Sequence, residues 1–260
     1  LKRSRKLAKK LRFIDLSLPI ENVPSEPIPP EIIHEDHQRG GELMKGIFGC
    51  KSEDLPDGLG WANDTLTLIT HAGSHLDAPW HFAPTSEGKR AKTIDEVPLD
   101  WCYGDGVVLD MRHKATGELI TVSDIKAGLK KIDYQIKPRD IVLIMTGADK
   151  YWGKQEYFSE GCGMGREGTL WLIEQGVKVM GIDAWGFDRP FNAISEDFKK
   201  TGDKSLIWAA HFVGIEKEYC HLEKLANLDE LPSSGFTLIC FPIKITGASA
   251  GWVRPVAIVK

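Results

Sequence analysis

The chain has 260 residues, of which 42% are hydrophobic and 27% charged, with a formal net charge of −4. These values exclude a disordered segment, a collagen-like repeat and a small disulfide-stapled scaffold, and the length suffices to bury a core. No apolar run approaches the roughly 18 residues of a membrane span, so a membrane is not an expected partner.

Residues 1–12 read as a basic arm, solvated or docked on a partner, without the apolar stretch of a signal peptide. The arm carries seven of the 33 basic residues and no acid, which leaves 26 basic against 37 acidic, a net of −11, in the remainder. Such a body repels phosphate backbones, so nucleic acid is not an expected partner. Residues 13–260 read as one domain, with no internal repeat, low-complexity tract or linker. Residues 13–20 alternate as a strand. Residues 21–60, rich in Pro, Gly and charge, read as loop with at most one short helix. Residues 66–70 read as a strand delivering the histidine-rich segment that follows. Buried strands are predicted at 106–110 and 140–145, with a helix at 123–131 capped by Thr121 or Ser123. A second helix, 166–175, is stopped by Gly176 and followed by a strand at 177–182. Strands at 236–245 and 253–259 close the chain. Strands alternating with helices predict an α/β fold.

The five cysteines (Cys50, Cys102, Cys162, Cys220, Cys240) are odd in number and form no CxxC pair. That favours reduced thiols and a cytoplasmic location. Each has an ordinary reading as a small buried hydrophobe. Only Cys162, within Gly161-Cys162-Gly163-Met164-Gly165, invites a test as a nucleophile.

Three of the eight histidines, His71, His75 and His81, fall within eleven residues. Gly73, Asp77 and Pro79 argue against a helix there. An extended chain points His75 and Asp77 to the same side, and Gly73 allows a bend that brings His71 to them. Two imidazoles and a carboxylate converging on a point suit a divalent cation with nitrogen and oxygen ligands. His81, past the proline, stands beside such a cation rather than on it. A lone histidine is usually structural; three with an aspartate at this spacing reverse that expectation.

The segment resembles the signature of the metal-dependent cyclase-like hydrolase family, His-x-Gly-Thr-His-x-Asp-x-Pro-x-His, here His71, Gly73, Ser74, His75, Asp77, Pro79 and His81. Ser74 replaces the usual Thr and keeps the hydroxyl. A second family element is a His followed twelve residues later by a Glu in Glu-x-Leu-x-Asn-Leu, matched by His211 and Glu223-Lys224-Leu225-Ala226-Asn227-Leu228. The resemblance spans about Phe13 to Val259. It implies a single swivelling β/β/α domain with a mixed sheet core, assembled as a homodimer or homotetramer. It also implies a first metal on His71, His75 and Asp77, with Asp77 bridging to a second on His211 and Glu223. One or two Mn2+ or Zn2+ ions per protomer are therefore expected, with His81 as the acid–base residue. A metal of this kind supplies hydroxide near neutral pH for attack on an amide or ester carbonyl, while His81 shuttles the proton. The long loop before His71, the Asp183-Ala184-Trp185 segment and the ending Gly251-Trp252-Val253-Arg254-Pro255 look most like the isatin hydrolase branch. The expected substrate is therefore a cyclic amide such as isatin, with a lactone or an N-formyl aryl amine of the kynurenine type as alternatives.

Trp80 and Trp185 are candidates to stack on a planar substrate. His37 is a candidate to line the pocket, and Arg189 to bind a substrate carboxylate. His34 and His113 read as surface residues. His221, two residues before Glu223, would face the same way in a strand and competes with His211, which is kept because the twelve-residue spacing matches. Two rival functions remain. His75-x-Asp77 with His211 also spells the facial triad of a non-haem iron oxygenase, though that reading leaves His71 and His81 without a role. The second rival is a non-catalytic metal-binding protein on the same fold.

Overall fold

The computed structural model describes residues 10–260, so most of the basic arm, residues 1–9, lies outside the described residues. Nine strands form one mixed sheet: β1 (Arg12–Asp15), β2 (His75–Asp77), β3 (Tyr103–Asp110), β4 (Ile141–Met145), β5 (Val179–Ile182), β6 (Cys220–Glu223), β7 (Phe236–Ile239), β8 (Ala250–Trp252) and β9 (Val256–Val259). Their spatial order is β1-β9-β7-β3-β4-β5-β6-β2-β8. The four central strands β3, β4, β5 and β6 run parallel, and every outer pairing is antiparallel. The α/β class and mixed sheet expected from the sequence are what the chain adopts.

The central strands are continuous apolar runs, as parallel strands covered on both faces must be. β4 reads Ile-Val-Leu-Ile-Met with all five residues buried. Alternation sorts these side chains into two cores. Val107, Leu109, Val142, Ile144, Met180 and Ile182 face one side, against the helices. Val108, Ile141, Leu143, Val179 and Leu222 face the other.

The described residues also hold six α-helices: α1 (His37–Phe48), α2 (Pro79–Phe82), α3 (Val122–Lys131), α4 (Arg166–Glu174), α5 (Phe191–Thr201) and α6 (Val213–Glu216). The helix expected over 123–131 is α3, and its cap is Thr121. The Thr121 hydroxyl accepts from the Asp124 N–H while the Asp124 carboxylate accepts from the Thr121 N–H, a reciprocal capping box. Ile125 and Leu129 then face the core.

Several expectations are corrected. β1 begins at Arg12 and ends at Asp15; beyond it Ser17 makes only an isolated bridge to Leu225. The region 21–60 is more ordered than its composition suggests. It holds a strand, Glu31–Glu35, and the twelve-residue α1, whose N-cap Asp36 accepts from the Arg39 N–H. The strand expected over 66–70 is Asn63–Thr67, which pairs with Glu31–Glu35 in a separate hairpin. β7 stops at Ile239 and β9 starts only at Val256, because Pro242 and Pro255 have no N–H for a ladder. α5 and α6 lie where the sequence gives no expected element. All five cysteines are free, and no described helix is long and apolar enough to cross a membrane.

Candidate metal centre

The centre is built on the pairing of β2 with β6. Their antiparallel register sets His75 opposite Glu223 and Asp77 opposite His221. Residues directly opposite on antiparallel strands share a face, so these four side chains form a grid. Leu76 and Leu222, one position along, point the other way into the second core. The loop before β2 adds His71. Gly73 turns there at φ 59°, and a Cβ on it would meet Ile20 Cγ1 at 3.0 Å. His211, just before α6, closes the group.

The donor atoms converge. Asp77 Oδ1 is 2.9 Å from His71 Nδ1 and 3.3 Å from His75 Nε2. Asp77 Oδ2 is 3.1 Å from His221 Nε2, 3.8 Å from His81 Nε2 and 3.9 Å from His211 Nε2. Glu223 Oε1 is 3.3 Å from His221 Nε2 and 3.6 Å from His211 Nε2, and Oε2 is 3.5 Å from His75 Nε2. His75, Asp77 and His221 are wholly buried, whereas the His71 and His81 side chains remain 22% and 24% exposed, so these two imidazoles are the more open of those lining the cavity.

Outward hydrogen bonds set the orientation of each ring. His75 Nδ1 donates to the Gly73 carbonyl at 2.9 Å. His211 Nδ1 donates to Asp188, whose carboxylate also accepts from the Ala210 and His211 N–H groups. His221 Nδ1 lies 3.3 Å from the Tyr219 hydroxyl, which spends its own proton on the Ala210 carbonyl. In all three rings Nε2 is thereby left as a bare lone pair facing the carboxylates, the arrangement of metal-ligating histidines. His75 Nε2, His221 Nε2 and both Asp77 oxygens are buried with no hydrogen-bond partner. Buried polar atoms left unpaired are costly, so this donor set fits a divalent cation.

Without a cation, the carboxylates and imidazoles hold one another's charge. Burial by itself would raise the Asp77 pKa, but the imidazoles of His81, His75 and His71 hold it well below the usual carboxylate range. Burial would likewise lower that of His221, but Asp77 and Glu223 outweigh it and push it up to about 9. His81 goes the other way: burial lowers it to about 4, with Asp77 only partly offsetting.

A cavity of about 360 Å3 opens over the centre, walled by Phe158, Trp185, Phe191 and Trp208 with His71 and His81 at its floor. His71, His75, Asp77, His81, His211 and Glu223 thus come together as the sequence suggested, and Trp185 is on the wall. Arg189 also reaches the wall, but its guanidinium is engaged by the Gly117 carbonyl at 2.6 Å and Asp197 at 2.7 Å. Trp80 and His37 lie outside the wall. Trp80 is half-exposed on α2, which turns Phe82 inward instead, and His37 opens α1 with its ring on the Gly60 carbonyl. Cys162 is buried with its thiol pushed up to about 12 by burial, which removes it as a nucleophile. Sequence reasoning weighed His221 but kept His211 in its place, and left out Asp188 and Trp208. The His-x-Glu spacing was the one signal for His221; nothing local marks Asp188 or Trp208, which reach the site only through the chain path after β5.

Residues 14–189 match the Cyclase family model, described as "Putative cyclase". The chain belongs to the Cyclase family. Among similar proteins, the kynurenine formamidase of Erythrobacter litoralis is 29% identical over 194 residues, 74% of each chain. That of Bacillus cereus is 27% identical over 194 residues, covering 74% of this chain and 77% of its own. An isatin hydrolase bound to the product analogue thioisatinate superposes with a TM-score of 0.74 at 22% identity, covering 96% of this chain and 92% of that one. Isatin hydrolase A from Ralstonia solanacearum gives 0.76 at 22% identity with the same coverage. The swivelling β/β/α arrangement is therefore shared with solved Cyclase-type structures.

Proposed function

We propose that this Cyclase family chain is a metal-dependent hydrolase that opens a cyclic amide of the isatin type to its amino acid. The observation that carries the reading is the convergence of His71, His75, Asp77, His211 and Glu223 at the floor of an aromatic-walled cavity, with His81 beside them. The names of the similar proteins, kynurenine formamidases and isatin hydrolases, support amide hydrolysis. The expected cofactor is Mn2+ or Zn2+: imidazoles suit both, and two carboxylates favour manganese.

A divalent cation held by His71, His75, Asp77, His211 and Glu223 would supply hydroxide near neutral pH and polarise the substrate carbonyl. The chain's own residues do the rest. Trp185, Phe158 and Trp208 sandwich and orient a planar ring and exclude water. His81, neutral near pH 7, is placed to take the proton of the attacking water at Nε2 and return it to the leaving nitrogen as the C–N bond breaks. Asp188 holds His211 in the required tautomer. Four imidazoles and two carboxylates crowd the centre, whereas an iron oxygenase needs an open three-residue face; His221, where a keto-acid anchor would stand, is buried against Asp77.

The test is isatin ring opening by metal-free protein reloaded with Mn2+ or Zn2+, with a chelator control. Chelator-sensitive turnover is expected. Turnover of a lactone or of N-formylkynurenine instead would keep the hydrolase and overturn the substrate; no turnover of any of the three would favour a non-catalytic metal protein.

We also infer assembly as a homodimer or homotetramer, supported by Ile33, Ile47, Phe48 and Leu66 standing exposed on α1 and its neighbouring hairpin. A two-stranded hairpin is marginal alone. A reducing, cytoplasmic location agrees with five free cysteines.

A further inference from the structure

We propose that His221 is itself a metal ligand, the fourth imidazole of the centre. This rests on the metal-dependent reading above and adds a residue to it.

The donors divide into two groups. Asp77 Oδ1, His71 Nδ1, His75 Nε2 and Glu223 Oε2 form one, with separations of 2.9, 3.3 and 3.5 Å along the chain of contacts. Asp77 Oδ2, His221 Nε2, Glu223 Oε1 and His211 Nε2 form the other, with separations of 3.1, 3.3 and 3.6 Å. Ligand bonds of about 2.1 Å meeting at right to tetrahedral angles put neighbouring donors about 3.0–3.4 Å apart. These edges lie within that range or up to about 0.2 Å outside it; only the His211 Nε2–Asp77 Oδ2 edge of the second group, at 3.9 Å, is clearly longer. The two oxygens of each carboxylate fall in different groups. The shortest edges of the second group both end on His221, not on His211.

The other roles open to a buried histidine do not account for this one. As packing, its ring lies stacked between Phe187 at 4.5 Å and Phe82 at 5.0 Å, a slot that an apolar side chain would fill without burying a nitrogen. Without a cation the two carboxylates favour its protonated form, but its Nε2, 3.1 Å from Asp77 Oδ2 and 3.3 Å from Glu223 Oε1, makes a geometrically formed hydrogen bond to neither and faces both at once, as a ligand nitrogen does. The two phenylalanine rings and the Tyr219 hydroxyl instead fix the imidazole in one rotamer and one tautomer, with its lone pair on the carboxylates. Such support by neighbours is what ligating histidines receive.

The experiment is a Zn2+ titration of metal-free protein by calorimetry, with bound zinc counted by mass spectrometry, on wild type, His221→Gln and His71→Gln. Wild type should bind about two equivalents per chain. His221→Gln should keep one site at unchanged affinity and lose the other by roughly 100-fold or more, beyond the usual effect of a supporting residue. His71→Gln should damage the opposite site. Two unchanged sites in His221→Gln would overturn the proposal and leave the metal reading standing. A single site in wild type, unaffected by His221→Gln, would do the same. No zinc bound by wild type would defeat the metal reading as well. A readout independent of variant folding is the Co2+-loaded wild type. If His221 ligates, its proton NMR spectrum should show exchangeable, paramagnetically shifted imidazole N–H signals from four histidines, His71, His75, His211 and His221. Signals from only three overturn the assignment.

Discussion

His81, partly buried, and Asp183, fully buried, are two titratable residues with different duties. His81 lies at the cavity floor 3.8 Å from Asp77, and burial keeps its imidazole neutral. As the proton carrier it should contribute about 10²–10⁴-fold to turnover. His81→Ala should therefore lower kcat by that amount while bound metal per chain stays unchanged; loss of metal in parallel would make it a ligand instead. Asp183 accepts from the Thr146 N–H at 2.7 Å, the Thr146 hydroxyl at 2.6 Å and the Gly147 N–H at 2.8 Å. Burial nonetheless raises its pKa from 3.8 to about 7. Because the folded value lies above the unfolded one, folding takes up a proton. The resulting stability is complete below about pH 4 and is lost as pH rises through about 7. Wild type should thus lose urea resistance relative to Asp183→Asn between pH 5 and pH 8. A difference between the two that does not vary with pH would contradict this.

At the scale of elements, the centre depends on a strand pair and the turn that feeds it. β2 is only three residues long, held between β6 and β8. Its placement is secured by the preceding turn, where the Gly73 N–H donates to Glu26 and the Ser74 hydroxyl to the Lys224 carbonyl. Gly73 and Gly202 both have positive φ, but a Cβ on Gly73 meets Ile20 at 3.0 Å whereas one on Gly202 meets nothing within 4 Å. Alanine at either position carries the backbone strain of about 1 kcal/mol. Only Gly73→Ala should also weaken metal binding, by displacing His71, about 10-fold or more. Calorimetric titration of both variants tests this, and equal metal affinity in the two would show that the turn does not position His71.

At the scale of the molecule, one buried ion pair ties together segments far apart in sequence. Lys224 Nζ donates to both Glu26 oxygens at 2.7 Å and to the His71 carbonyl at 3.0 Å, with both side chains almost inaccessible. Removing one partner strands the other charge in the interior, at a cost of about 3–5 kcal/mol. Lys224→Met should therefore lower stability by that amount in urea unfolding, and Glu26→Gln added to it should restore much of the loss. If the double variant is no more stable than the single, the pair is not the stabilising unit. Local composition gives no hint of this contact, because Glu26 lies in a stretch that reads as plain loop.

What the sequence determined by itself were properties carried by near neighbours. The apolar runs gave the central strands, Thr121 and Asp124 gave the start of α3, and the spacing of His71, His75, Asp77 and His81 gave most of a metal centre. Extended backbone with a two-residue period already puts His75 and Asp77 on one side. What only the tertiary structure decided was the partner of that segment. The register that sets Asp77 opposite His221 and His75 opposite Glu223 arises from β6 docking beside β2, and a slip of one residue would turn Leu222 to the centre and both ligands away. The choice between His211 and His221 could not be made from spacing along the chain, since it is fixed by hydrogen bonds and strand pairing across some 140 residues. The folded chain places both on the same carboxylates.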